Sequence, residues 1–163
     1  MQNLSQRKIS PLQVAYEVVA VSGLLFHIAL VTRAWASLPA TIPVHYGLSG
    51  QPDAWGGKIE LLELPLLSVL VYVALTWLGR HPQKLNYPWA ITKTNAEQQY
   101  RLASSLVGAV KAQLIWLLTA ISWQTIGIAN GQNGGLRGSL VTVILVLAGI
   151  TLVIHVVLAS RAK

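Results

Sequence analysis

The sequence predicts an all-α protein: an integral membrane bundle of four transmembrane helices, with an ordered and partly extended outer loop between the first two. Three observations predict it. Only 10% of the 163 residues are charged and 53% are hydrophobic, against roughly 25% charged in soluble domains. Mean hydropathy is positive, at +0.54. Four apolar runs come close to the roughly 20 residues that a helix needs to cross a bilayer.

The first run covers about residues 13–34, the second 61–79, the third 103–128 and the fourth 139–160. They form a single transmembrane domain over 1–163. Pro65 falls in the first turn of the second helix, where proline is tolerated. Thr94 and Glu97 have capping-box spacing, so the third helix is expected to start near Asn95, ahead of the membrane. The stretch "NGQNGGLRG" at 130–138 reads as a short turn. No internal repeat is visible, and the first run, which carries Glu17 and no small-residue cleavage site after it, does not read as a secretory signal.

Basic residues set the orientation. With the N-terminus inside, Arg7, Lys8, Arg80, Lys84, Lys93, Arg101, Arg161 and Lys163 lie on the cytoplasmic side. Arg33, Lys58 and Arg137 lie outside, and Lys111 sits within a span. Eight against three places both termini in the cytoplasm by the positive-inside rule. Residues 35–60 then face outward and 80–102 inward. Trp35, Trp55, Trp77, Trp89 and Trp123 fall near the expected interfaces, as an aromatic belt requires. The +7 net charge is spread along membrane rims, which excludes a nucleic-acid surface. Absence of cysteine excludes disulfides and thiolate metal sites.

The outer loop contains "IPVHYGLSGQPDAWGGK", residues 42–58. Ile42 precedes Pro43 and is biased to extended backbone. Gly47, Gly50, Gly56 and Gly57 permit tight turns, and Pro52–Asp53 starts one. The loop is therefore stiff and folded back, more than a connector needs. His45, Asp53, Trp55 and Lys58 are its candidate ligand- or partner-binding residues. Their alternative role is a loop lock, with Asp53 capping a turn, Lys58 paired to it and Trp55 anchoring the interface.

At these residues the chain resembles a family. "LPATIPVHYGLSGQPDAWGGKIELLELP", 38–65, is similar to the LP-x-x-IP-V-H-[FY]…G-x-x-D-x-W-G-x-K…P signature of a bacterial membrane domain of unknown function. That domain forms the N-terminal part of SdpI-type toxin-immunity proteins. "NYPWAITKTNAEQQYRLASSLVGAVKAQL", 86–114, is similar to a second segment of short stand-alone members. The resemblance covers about residues 12–136. It implies a bacterial cytoplasmic-membrane protein and, from the long members, immunity to a peptide toxin. Those long members carry a further membrane half that has no counterpart in these 163 residues.

Ionisable groups within spans are expensive in lipid and are functional candidates by default. Glu17, Lys111 and His155 fall near the inner side. The first two are expected to form an intramembrane ion pair, with snorkelling of Lys111 to the cytoplasmic surface as the alternative. His27, Glu60, Glu63 and Gln124 fall near the outer side, beneath the loop. There His27, His45 and Glu63 are candidates for one polar pocket, with Glu60 and Glu63 in interfacial water as the bland alternative.

No catalytic motif, P-loop or H-E-x-x-H is present, so no catalytic residue is assigned. His45 and Asp53 lack a third ligand of known geometry, so no metal is assigned. His27 and His155 sit near opposite faces and cannot share a haem, so no cofactor is assigned. Three function classes stand: a non-enzymatic protein binding a ligand or peptide through its outer loop, an accessory subunit of a larger bacterial membrane complex, and an enzyme that needs His27, His45 and Glu63 in one cavity. Small residues on helix three (Ser104, Ser105, Gly108, Ala109, Ala112) and on helix four (Ala148, Gly149) would serve the second class or the packing of the bundle itself. The lipid bilayer is the partner common to all three.

Overall fold

A computed structural model describes residues 10–132, 135–136 and 138–162. Arg7, Lys8, Arg137 and Lys163 lie outside the described residues. Helix α1 spans Pro11–Ala34. Strands β1 (Thr41–Tyr46) and β2 (Pro52–Gly57) follow. A 3-10 turn at Lys58–Leu62 leads into α2, Glu63–Arg80. A second 3-10 turn, Pro82–Lys84, precedes α3 (Ala96–Ala129), and α4 is Gly138–Arg161. All four helical segments are long and apolar enough to cross a membrane.

The loop between the first two helices is an antiparallel β-hairpin, so the fold is mostly helical with a small two-stranded sheet rather than all-α. Thr41 pairs with Gly57, Ile42 with Gly56 and Pro43 with Trp55, with irregularities on either side of His45. The physical reason is in the residues: β-branched and aromatic side chains around two prolines favour extension, and Gly50, at φ 78°, closes the turn in a region few other residues adopt. An added Cβ at Gly50 would also meet Leu136 O at 2.7 Å. That oxygen sits there because Leu136 N–H donates to Gly50 O at 2.7 Å, joining the hairpin turn to the α3–α4 connection.

Helix starts show two different solutions. Ser10 caps α1: its hydroxyl accepts from Gln13 N–H at 3.2 Å, and its own N–H donates to Gln13 Oε1 at 3.0 Å. Helix α3 begins as expected beside Asn95, but the Thr94–Glu97 capping box does not form. Thr94 Oγ1 instead pairs with Thr92 Oγ1 at 2.9 Å, and Asn95 turns back to Thr92 N–H and Ala90 O. The preceding turn takes up the side chains that a cap would have used.

Helix α3 is the centre of the bundle. It packs on α1, α2 and α4, whereas α1 and α2 touch each other little. Within the spanning windows, 44% of α3 is buried and 6% of α4. Small residues allow the close approach. Gly108 faces Tyr16, where an added Cβ would lie 3.4 Å from Tyr16 Cβ, and Ser104 Oγ donates to Gly79 O at 2.8 Å. Ala109 and Ala112 are buried. The small face of α3 thus serves the bundle itself. Helix α4 is fastened by polar bonds: Gln99 Nε2 donates to Ala159 O and Ala162 O, and Gln113 Nε2 to Thr151 Oγ1.

Two apolar clusters organise the interior. Val31, Leu38, Ile42, Leu61 and Ile126 form one, which makes the hairpin part of the core through Ile42, 1% exposed. Ala20, Ala112 and Ile115 form the other, flanked by Leu24, Val71 and Tyr72. Trp116 lies mid-span, where an indole N–H has no water. It donates to Val19 O at 3.0 Å, and Phe26 stacks on its ring and meets Trp123 at a tilt of 40°.

Candidate functional site

Polar groups gather in three layers along the bundle. The first lies at the hairpin end. Tyr46, at the end of β1, meets Thr125 of α3 through a 2.8 Å hydroxyl pair. This ties the hairpin to the central helix. Burial pushes the Tyr46 phenol pKa up, while the Thr125 hydrogen bond pulls it back. Beneath β1 lies a cavity of about 150 Å³, between the hairpin, the start of α2 and α3. Ile42, Pro43, Leu61 and Ile121 give it apolar walls, with Glu60, Glu63, Tyr46 and Thr125 as its polar groups.

The predicted loop residues do not point there. Asp53 takes His45 Nδ1–H at 2.5 Å on Oδ1, and both side chains are mostly exposed, at 69% for His45 and 51% for Asp53. A carboxylate only accepts, so Nδ1 carries the proton and Nε2 is left outward. Lys58 does not pair with Asp53. Its Nζ donates to Trp35 O at 3.3 Å and sits 5.0 Å above the Trp35 ring. The short return of β2 into the 3-10 turn aims Lys58 back at the end of α1. Trp55 is 55% exposed on β2. Glu60 accepts Gly57 N–H at 2.9 Å, and Gln124 Nε2 donates to Ala120 O on its own helix.

The second layer is a buried knot. His27 of α1, 0% exposed, lies between Ser68 of α2 and Ser122 of α3. Ser68 Oγ–H donates to Leu64 O at 3.1 Å. Its oxygen therefore accepts from His27 Nδ1–H at 2.9 Å, and Nε2 of the neutral ring accepts from Ser122 Oγ–H at 2.7 Å. One side chain thus joins three helices. The expected convergence of His27, His45 and Glu63 fails: His27 is sealed inside the bundle, His45 faces outward, and Glu63 alone lines the cavity. An enzyme built on those three residues has no common cavity among the described residues.

The third layer is ionic. Lys111 Nζ, on a side chain 3% exposed, lies 2.5 Å from Glu17 Oε2. It also donates to Thr76 Oγ1 at 2.9 Å and faces the Tyr72 ring at 4.7 Å. Tyr72 O–H donates to Glu17 Oε1 at 2.6 Å. The ammonium is enclosed by these partners, so it does not snorkel to the end of the bundle. His155, 6% exposed on α4, donates from Nδ1 to Thr151 O and takes no part in this network.

Sequence reasoning missed Tyr46, Ser68, Tyr72, Thr76, Ser122 and Thr125. A signal existed for α3: Thr119, Ser122 and Thr125 recur every third residue and are all buried, a polar stripe on one helix face.

Removing the Tyr46 hydroxyl tests the tie. Tyr46→Phe is expected to lose about 0.5–1.5 kcal/mol and to speed amide exchange over 42–46. Unchanged exchange there would show that Ile42 packing alone holds the hairpin.

A family model described as a domain of unknown function (DUF1648) matches residues 23–69. The match takes in the 38–65 motif stretch and runs from the middle of α1 into α2, over the hairpin. An uncharacterized protein of Archaeoglobus fulgidus is 34% identical over 62 residues, 33% of this chain and 34% of the relative. The chain thus spans about a third of the length of this curated relative, which is archaeal rather than bacterial. No solved structure matches the chain.

Proposed function

We propose that this is a non-enzymatic membrane protein that binds a ligand in the cavity under its hairpin, with the hairpin end facing outward from a cytoplasmic membrane and both termini inside. The observation that carries the reading is the built roof. Ile42 enters the apolar core and Tyr46 bonds Thr125, so the hairpin is held over the cavity. A connector needs neither. Mixed lining, apolar walls with a few polar groups, is the usual composition of a ligand site. The SdpI-type resemblance, carried by this same stretch, supports an extracellular ligand such as a peptide. The lipid bilayer surrounds the bundle.

A cavity-filling substitution tests the reading. Val44 lines the cavity and is 38% exposed, so Val44→Trp narrows the space with little effect on the core. Native mass spectrometry of protein extracted from its own membrane is expected to show a bound species in the wild type that Val44→Trp lacks. Equal retention in both, or no bound species in either, would overturn the reading.

A second reading, an accessory subunit of a larger membrane complex, is favoured by α4. Its spanning window is 6% buried, and Gly149 has nothing within 4 Å of an added Cβ. That surface suits a neighbouring helix as well as it suits lipid.

A further inference from the structure

The cavity under the hairpin has a one-sided electrostatic character. Glu60 and Glu63 are two of only five carboxylate residues in a chain that carries twelve lysines and arginines. Among the described residues, no Lys, Arg or His lines the space. Lys58, the cation closest in sequence, is turned onto the carbonyl and ring of Trp35. The hydrogen-bonding character is one-sided too. A carboxylate offers only acceptors. The Tyr46 and Thr125 hydroxyls are bonded to each other, so one of their two protons is already spent. Glu60 meets its local donor, Gly57 N–H, through Oε1, which leaves Oε2. Both glutamates are exposed, while the walls beside them are apolar, with Ile42 1% and Leu61 2% exposed.

Resting on the ligand reading above, we infer that the cavity selects a primary alkylammonium group: the N–H donors and positive charge face Glu63 and Glu60, and the alkyl part lies against Ile42, Leu61 and Ile121. The volume sets the size. About 150 Å³ is well below the roughly 300–1,000 Å³ of pockets for drug-sized ligands, so a few carbons and one nitrogen fit. The group reaches the site as a free amine or as a lysine side chain of an extended peptide; both present the same chemistry. Anions are excluded by the two carboxylates, and neutral alcohols gain the apolar contact without the charge-assisted hydrogen bonds.

The test uses the full chain in detergent at fixed ionic strength, with tryptophan fluorescence and melting temperature as readouts. The probes are n-butylammonium, 1-butanol, butyrate and a doubly capped lysine amide. The expected result is saturable binding of n-butylammonium, no binding of butyrate, and binding by 1-butanol weaker by tenfold or more. Glu63→Gln is expected to weaken n-butylammonium about tenfold, the size of one lost charge-assisted contact, and to leave 1-butanol unchanged. Tighter binding of the capped lysine amide than of n-butylammonium places the group on a peptide and supports the inference. Equal binding of 1-butanol and n-butylammonium, both blocked by Val44→Trp, would overturn the ammonium selectivity and leave the cavity reading standing. Binding of no probe, with no species retained from the native membrane, would overturn both.

Discussion

Glu17→Ala is expected to destabilise the bundle by about 3–5 kcal/mol, the cost of leaving a buried charge without its partner. The asymmetry of the pair sets the direction. Lys111 is enclosed, with its side chain 3% exposed, while the Glu17 side chain is 44% exposed toward the outside of the bundle. Loss of the carboxylate strands an ammonium that, among the described residues, keeps Thr76 Oγ1 and the Tyr72 ring. It also frees the Tyr72 hydroxyl from Glu17 Oε1. Replacing both members, as in Glu17→Leu with Lys111→Met, removes the desolvation cost along with the attraction. The double variant is expected to recover to within about 1–2 kcal/mol of the wild type, because apolar replacements of buried pairs are often neutral or better. Denaturant unfolding in a fixed detergent measures both. A double variant as unstable as Glu17→Ala would mean that the layer is held by the packing of these particular side chains rather than by the balance of charge.

His27→Ala is expected to cost about 2–4 kcal/mol, and here packing outweighs hydrogen bonding. The two bonds to Ser68 and Ser122 are worth about 0.6 kcal/mol each and at most about 1.7, since such bonds between membrane helices average low. The void left at a fully buried position where three helices meet adds the larger share. His27→Leu separates the two contributions. It fills the void, Ser68 keeps its bond to Leu64 O, and Ser122 turns to the carbonyl one turn back. The leucine variant is expected to lose less than about 1.5 kcal/mol. Equal losses for leucine and alanine would show that the imidazole hydrogen bonds dominate after all.

The four helices were legible because composition and run length suffice for a span. The stiffness of the 35–60 loop was legible from Pro43, Pro52 and its glycines. Its hairpin register was not, because the irregularities beside His45 depend on which face of β1 the core takes up, and that is decided by Ile42 meeting Leu61 and Ile126. Side-chain direction was the recurring limit. His27 and Glu63 lie at similar depth in the sequence reading, yet helical phase turns one inward and the other to the cavity. Lys58 is close enough in sequence to reach Asp53, but the turn after β2 sends it to Trp35. Which helix would be central was legible but went unread: α3 carries more polar residues than the other three spans. In a membrane that is the physical sign of centrality, because the least lipid-like helix is the one that others must surround.

The central place of α3 has a consequence for how the protein is made. A chain emerging from the ribosome delivers α1 and α2 first, and these two share two polar contacts, His27 with Ser68 and Glu17 with Tyr72, but little packing surface. Glu17 enters the bilayer well before the ammonium that balances it, since Lys111 arrives 94 residues later. His27 meets Ser68 of α2 first and waits for Ser122 to complete its second bond. The early helices therefore hold only part of each polar layer until the third is inserted, and that late segment supplies the remaining partners, Lys111, Ser122 and Thr125. Helix α4, bound through the glutamines of α3, is added to a core already complete.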